Sequence, residues 1–346
     1  MNVSPPSIPV RMAPDLRAQL LGSAHACAPT TAMATPSDFA HDLLAALTRR
    51  PRSISPKYFY DTAGSALFDR ICELPEYYPT RTELALLDTF GREMAECIGA
   101  GADLVEFGAG SNVKIRRLLR ALHAPRRFIP IDISAEHLMG AAQALQDDHP
   151  GLQVRPLAAD FTRPFDLPTP LPLNGHGTAP RVGFFPGSSL GNFTPVEARG
   201  FLRRASALLR GGGLLIGIDL VKDPAVLHAA YNDAQGVTAA FNLNMLARAN
   251  RELGTDFDLT AFDHYAFYQP VHQRIEMHLV ARRAQHVHLA GRRFDFAAGD
   301  SLHTEYSYKY TVEGFRALAA ESGFVPEAVW CDPQRLFSVH WLRSTA

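Results

Sequence analysis

Three groups of residues in this 346-residue chain have the types and spacing to do chemistry. The first is Leu104-Val105-Glu106-Phe107-Gly108-Ala109-Gly110, an apolar run that ends in a glycine turn. Glycine lets the backbone pass close to a ligand without a Cβ clash. Asp132 closes the next apolar run, about 20 residues on, where a carboxylate can accept from two ribose hydroxyls. Asp160-Phe161 follows a third run and suits an adenine: carboxylate for the exocyclic amine, ring for the base face. Lys114, just past the turn, is placed to meet a carboxylate. The dinucleotide fingerprint needs a third glycine where Val113 stands. The pattern therefore favours S-adenosylmethionine over NAD. Each residue also has a plainer use: a tight turn for Gly108 and Gly110, a helix cap for Asp132, a surface lysine for Lys114.

The second group is Gly187-Ser188-Ser189-Leu190-Gly191-Asn192-Phe193, after a fourth strand-like run. Asn192 offers both a donor and an acceptor, which suits the amine and carboxylate of an amino acid. The third group is scattered. The ten tyrosines fall within 38–81 or from 231 onward. Their phenols can bond an amine and their faces attract methylated ammonium. Glu305 and Ser307 alternate on a probable strand, so they share one face; a solvated strand face is the competing reading. The fourteen histidines show no HExxH pattern. His286 and His288 share a face without a third ligand, so no metal is expected.

The elements that must position these groups alternate between strand and helix. Strands are expected over 102–107, 127–131, 154–158, 182–185 and 214–220. Helices are expected over 83–98 and 113–122, after Ser134 with its side chain as the cap, and after the capping box Thr194-Pro195-Val196-Glu197. Such alternation implies a parallel sheet with right-handed crossovers. The pattern then breaks: 223–253 reads as helical, while 265–281 and 286–308 read as strands. A helix restarts at Thr311, and 325–331 with 336–343 form a closing hairpin. The fold class is α/β, a Rossmann-like class I methyltransferase sheet with an inserted α+β domain. The expected cofactor domain is 82–222 with 310–346, the expected substrate domain is 38–81 with 223–309, and 1–37 is read as a mobile tail. Five prolines make 163–180 a loop.

Composition narrows the partners. A net charge of −1 provides no field for nucleic acid or anionic lipid. No apolar stretch approaches a membrane span, and the N-terminus lacks a signal-peptide pattern. The four cysteines form no CxxC pair, which suits reduced thiols in the cytoplasm. The expectation is a monomer acting on a small molecule.

Several longer motifs resemble one family. They are Pro56–Asp61, Gly64-Ser65, Leu67–Asp69, Leu74–Glu83, Val105–Gly110, Phe128–Asp132, Gly187–Asn192, Asp219–Asp223, Gly236–Asn242, Arg274–Met277, Ala284–Val287 and Thr304–Ser307. Over roughly residues 50–342 the chain resembles the histidine Nα-methyltransferases of ergothioneine biosynthesis. The resemblance implies donor binding by Gly108, Lys114, Asp132, Asp160 and Phe161. It implies a histidine pocket of Tyr77, Asn192, Tyr231, Glu305 and Ser307, with Tyr60 and Met277 nearby. It further implies that Asn192 and the tyrosines hold the amine and carboxylate, that Glu305 and Ser307 face the imidazole, and that three methyl groups are transferred. Glu305 and Met277 agree with the histidine branch rather than a fungal branch that methylates a tryptophan derivative. The tail, the 163–180 loop and Pro186 depart from the family pattern.

Overall fold

A computed structural model describes residues 38–172 and 179–346. The expected tail, Cys27 and the centre of the Pro-rich loop lie outside the described residues. In chain order the elements are α1 (Asp38–Thr48), β1 (Arg52–Ser53), α2 (Thr62–Glu73), α3 (Tyr78–Ile98), β2 (Asp103–Phe107), α4 (Asn112–Ala121), β3 (Arg127–Asp132), α5 (Ala135–Asp148), β4 (Gln153–Val154), β5 (Leu157–Ala158), β6 (Arg181–Phe185), α6 (Pro195–Leu208) and β7 (Gly213–Asp219). There follow α7 (Pro224–Tyr231), α8 (Val237–Leu253), β8 (Phe262–Gln269), β9 (Arg274–Ala281), β10 (Gln285–Leu289), β11 (Arg292–Phe296), β12 (Ser301–Tyr308), α9 (Val312–Ala320), β13 (Phe324–Cys331) and β14 (Phe337–Ser344). Two compact units result. One holds the described residues up to Tyr77 with Asp223–Ser307; the other holds Tyr78–Lys222 with Tyr308–Ala346.

The second unit is built on a sheet ordered β13-β14-β7-β6-β2-β3-β4, with β5 also on β3. The strands from β4 to β7 run parallel, and β14 enters antiparallel beside β7. From β2 the chain builds outward through β3 on one side, then returns to β6 on the other. The crevice beyond the carboxyl ends of β2 and β6 is the switch point where such sheets bind ligands. Helices cover both faces, so the strands are continuous apolar runs. Leu104, Phe128 and Phe184 pack with Leu86, Met94 and Leu118 on one face. Val105, Ile129 and Phe185 pack with Phe201, Leu202 and Phe315 on the other.

Local chemistry moves three expected features. Helix α3 begins at Tyr78 rather than at 83, because Pro79 in its first turn needs no N–H partner there. The third strand splits into β4 and β5, since Pro156 cannot donate to the ladder. Ser134 is the N-cap of α5, but its side chain makes no capping bond. Instead Asp132 Oδ1 accepts the Ser134 N–H at 2.8 Å, an Asx turn in which a carboxylate replaces the hydroxyl as local acceptor. The capping box at Thr194 forms as read.

The first unit has a four-stranded sheet ordered β1-β12-β9-β8 and a separate β10–β11 hairpin. Burial alternates along β9, as in a sheet covered on one face. Helix α8 is buried over most of its length, including Asn242 and Asn244. Among the described residues no helix is long and apolar enough to cross a membrane.

Candidate active site

In the sheet unit the glycine turn follows β2 directly. Gly108 sits at φ +77°, where a side chain is strained, and a Cβ there would meet the Phe161 ring at 3.4 Å. At Gly110 a Cβ would meet only open space. Asp132 ends β3, in register with Ala158 of β5. Asp160, two residues past Ala158, takes the Thr162 N–H at 2.9 Å. The aromatic edge of Phe161 contacts Phe107 and Phe185. Glycine turn, ribose-type carboxylate and adenine-type pair thus all leave the carboxyl ends of neighbouring strands.

Lys114 is committed to a partner that the sequence did not suggest. Its Nζ lies 2.7 Å from Glu83, whose side chain is 1% exposed. Glu83 also accepts the Gly187 N–H at 2.9 Å. Helix α3 therefore joins the glycine turn to the loop that carries Asn192. That loop is shaped by Gly187 at φ +78° and Ser188 at φ +57°. Ser188 Oγ accepts the Asp219 N–H at 2.8 Å. Asn192, half-buried, ends a short 3-10 turn from Ser189.

Two further buried groups border this edge. Glu106, on β2, is 2% exposed, and its Oε2 has no hydrogen-bond partner. Burial pushes its carboxyl well above the ordinary value; Lys114 opposes, while Glu83 and Asp132 add to the rise. Asp219, ending β7, binds the Tyr78 hydroxyl at 2.7 Å, Lys309 at 2.7 Å and Lys222 at 2.5 Å. Burial works to raise the Asp219 carboxyl, but the two lysines hold it below its usual value. Burial also lowers Lys222 to about 8. Sequence reasoning missed both: Glu106 stands as a lone carboxylate in an apolar run, a signal that could have found it, whereas Glu83, beside Arg81 and Thr82, carries none.

S-adenosylmethionine fits these residues. The open glycine turn admits a ligand, Asp132 and Asp160 supply acceptors, and Phe161 supplies a ring face. The orphaned Glu106 oxygen is a buried polar atom that a cationic or hydrogen-bonding ligand would satisfy.

The other unit gathers most of the expected amino-acid pocket. Tyr231 donates its hydroxyl to Ser307 Oγ at 2.7 Å, with both side chains buried. Burial pushes the Tyr77 phenol well above its ordinary value, and Tyr231, Cys72, Tyr60 and Glu305 reinforce it in that order. Tyr60, Tyr231 and Glu305 therefore all lie near Tyr77. Phe68 packs edge-on against both Tyr60 and Tyr77. Glu305 is 7% exposed on β12, two residues before Ser307. Met277 is buried on β9, and its carbonyl lies 3.1 Å from the Thr304 hydroxyl. Of the other tyrosines, Tyr78, Tyr308 and Tyr310 belong to the sheet unit. His286 and His288 pair with Asp295 and Asp256.

A parallel sheet with a terminal antiparallel strand and a glycine turn at its switch point defines a class I S-adenosylmethionine-dependent methyltransferase. The family model of SAM-dependent, histidine-specific methyltransferases matches residues 39–344. The histidine N-alpha-methyltransferase of Mycolicibacterium smegmatis is 45% identical over 302 residues, covering 84% of this chain and 90% of its own. The Mycobacterium tuberculosis protein of the same name is 41% identical over 297 residues, with the same coverage. Ergothioneine biosynthesis protein 1 of Neurospora crassa is 30% identical over 81% of this chain, which spans 32% of that longer protein. The chain belongs to the SAM-dependent histidine-specific methyltransferase family. It is a SAM-dependent N-methyltransferase, and the NAD alternative falls.

Proposed function

We propose that this enzyme methylates the α-amine of L-histidine three times, giving Nα,Nα,Nα-trimethylhistidine (hercynine) for ergothioneine biosynthesis. The observation that carries the reading is the cluster in one unit of Tyr60, Tyr77, Tyr231, Glu305 and Ser307. Their types match an amino acid with a polar aromatic side chain: phenols for the backbone groups, a carboxylate and a hydroxyl for the imidazole. The names of the relatives support the same substrate.

S-adenosylmethionine supplies, when bound, an activated methyl group, so the protein's task is alignment and exclusion of water. In our reading Gly108, Gly110, Lys114, Asp132, Asp160 and Phe161 hold it. Asn192 and Tyr60 orient the lone pair of a neutral amine. Glu305 and Ser307 face the imidazole. Tyr77, raised by burial, stays protonated at neutral pH. It serves as a donor to the substrate carboxylate rather than as a base. The amine proton leaves to water before transfer. A quaternary ammonium product gains about 0.5–2 kcal/mol from aromatic faces such as Tyr231. We place the enzyme in the cytoplasm, where Cys72, Cys97 and Cys331 remain thiols, and expect it to act as a monomer.

Mass spectrometry of histidine incubated with donor and enzyme tests this. The expected product carries three added methyl groups. A single addition overturns the count, and turnover of tryptophan in place of histidine overturns the substrate.

A further inference from the structure

Behind the Tyr231–Ser307 pair lies a set of buried polar side chains that the proposed chemistry does not use. His264 on β8 places Nε2 at 2.9 Å from the carbonyl oxygen of Tyr231. A carbonyl only accepts, so Nε2 carries the hydrogen and Nδ1 is the acceptor of the neutral ring. Nδ1 lies 2.9 Å from Asn242 Nδ2, which donates to it. The second Asn242 amide hydrogen goes to the His278 carbonyl at 3.0 Å. Asn242 Oδ1 accepts the Thr304 hydroxyl at 2.7 Å. Each assignment dictates the next, so the histidine tautomer and the amide orientation have one solution. His264, Asn242 and Thr304 are at most 1% exposed.

The circuit closes on the pocket. Thr304 precedes Glu305 on β12, and Ser307, on the same strand, accepts from the Tyr231 hydroxyl. The Tyr231 residue is thus gripped twice, by its carbonyl through His264 and by its phenol through Ser307. The adjoining strand β9 is tied in through the His278 carbonyl, which accepts from Asn242. Burial lowers His264 to about 4, so the ring stays neutral across the working range. A buried network of this kind is costly when half-satisfied, which leaves it a single arrangement.

We infer that His264, Asn242 and Thr304 are positioning residues that fix Tyr231, Glu305 and Ser307 relative to one another and thereby set histidine recognition. The inference rests on the histidine reading above.

The test uses full-length enzyme and four variants. His264→Phe keeps the ring volume and deletes both bonds; Thr304→Val keeps the shape and deletes the hydroxyl. Both should raise the KM for histidine about tenfold to a hundredfold, the range for an orphaned buried partner. They should change kcat less and leave donor affinity by calorimetry within about twofold. His264→Gln can still donate to the Tyr231 carbonyl and should recover most of the loss. Val287→Ala, a buried truncation on β10 of the same unit, serves as the stability control and should leave KM unmoved.

A His264→Phe enzyme with the parent KM overturns the inference. So does a Val287→Ala enzyme whose KM rises as much. If the parent itself fails to methylate histidine, the substrate reading has failed. The network is then judged by nitrogen NMR of labelled histidine, which also covers variants that do not fold. His264 should show the Nε2–H tautomer without titration from about pH 5 to 8; titration near the ordinary histidine value overturns it.

Discussion

The proposed donor edge and the proposed amino-acid pocket are built by opposite means. At the proposed donor edge, Gly108, Asp132 and Asp160 lie at or within two residues of the ends of strands β2, β3 and β5, so strand pairing largely sets their positions. In the pocket, groups from α7, β9 and β12 are held by side chains, through Tyr231, His264, Asn242 and Thr304. A site fixed by backbone hydrogen bonds tolerates change in its neighbours. A site fixed by a buried polar circuit transmits the loss of any member.

Substitutions sharpen that contrast, the largest first. If Asp132 holds the ribose as proposed, Asp132→Ala removes two charge-assisted bonds and should cost about a thousandfold in donor affinity. Parent-like binding in calorimetry would remove Asp132 from the donor site. Glu305→Ala should raise the KM for histidine about a hundredfold while donor affinity holds. A parallel fall in both would erase the distinction between the two regions.

Acid should also separate them. Burial lowers His264 to about 4 and His303 to about 3 in the pocket unit, and His340 to about 3 in the sheet unit. Because these folded-state values are depressed, the unfolded chain binds more protons below the ordinary histidine value of about 6.5. Stability is therefore full above that pH. It falls on acidification at about 1.4 kcal/mol per pH unit for each histidine, until the native values are reached. With two such residues against one, hydrogen exchange at pH 5 should rise first in the pocket unit. Uniform loss of protection would contradict this.

The smallest effect is at Glu106. Glu106→Gln relieves a buried carboxylate with an orphaned oxygen and should raise the Tm by about 2–4 °C, worth about 1 kcal/mol. A lower Tm by calorimetry would show that the carboxylate is stabilising.

The same contrast decides what the sequence could reveal. Gly108, Asp132 and Asp160 stand at or near strand ends, so alternation and turn chemistry were enough to place them along one edge of the sheet. Tyr77 and Tyr231 lie far apart in the chain, and only the resemblance to a family singled them out; alternation put Glu305 and Ser307 on one strand face without saying what that face meets. His264 and Asn242 lie in apolar stretches of β8 and α8 and carry no local signature of a network. Ser134 was misread because an Asx turn and a helix cap share the same residue types. Lys114 stands just past the glycine turn, but its buried partner Glu83 comes from helix α3, which no local pattern connects to it.

Gly217 lies in the middle of β7, and its missing side chain leaves the space that Glu83 fills. A Cβ there would fall 2.1 Å from Glu83 Oε1. A single methyl on an interior strand would thus push that carboxylate aside and free both the Gly187 amide and Lys114. Random mutagenesis scored for lost turnover should therefore find a hot position that touches neither reactant. Its phenotype would be mistaken for misfolding unless the melting curve is measured beside it.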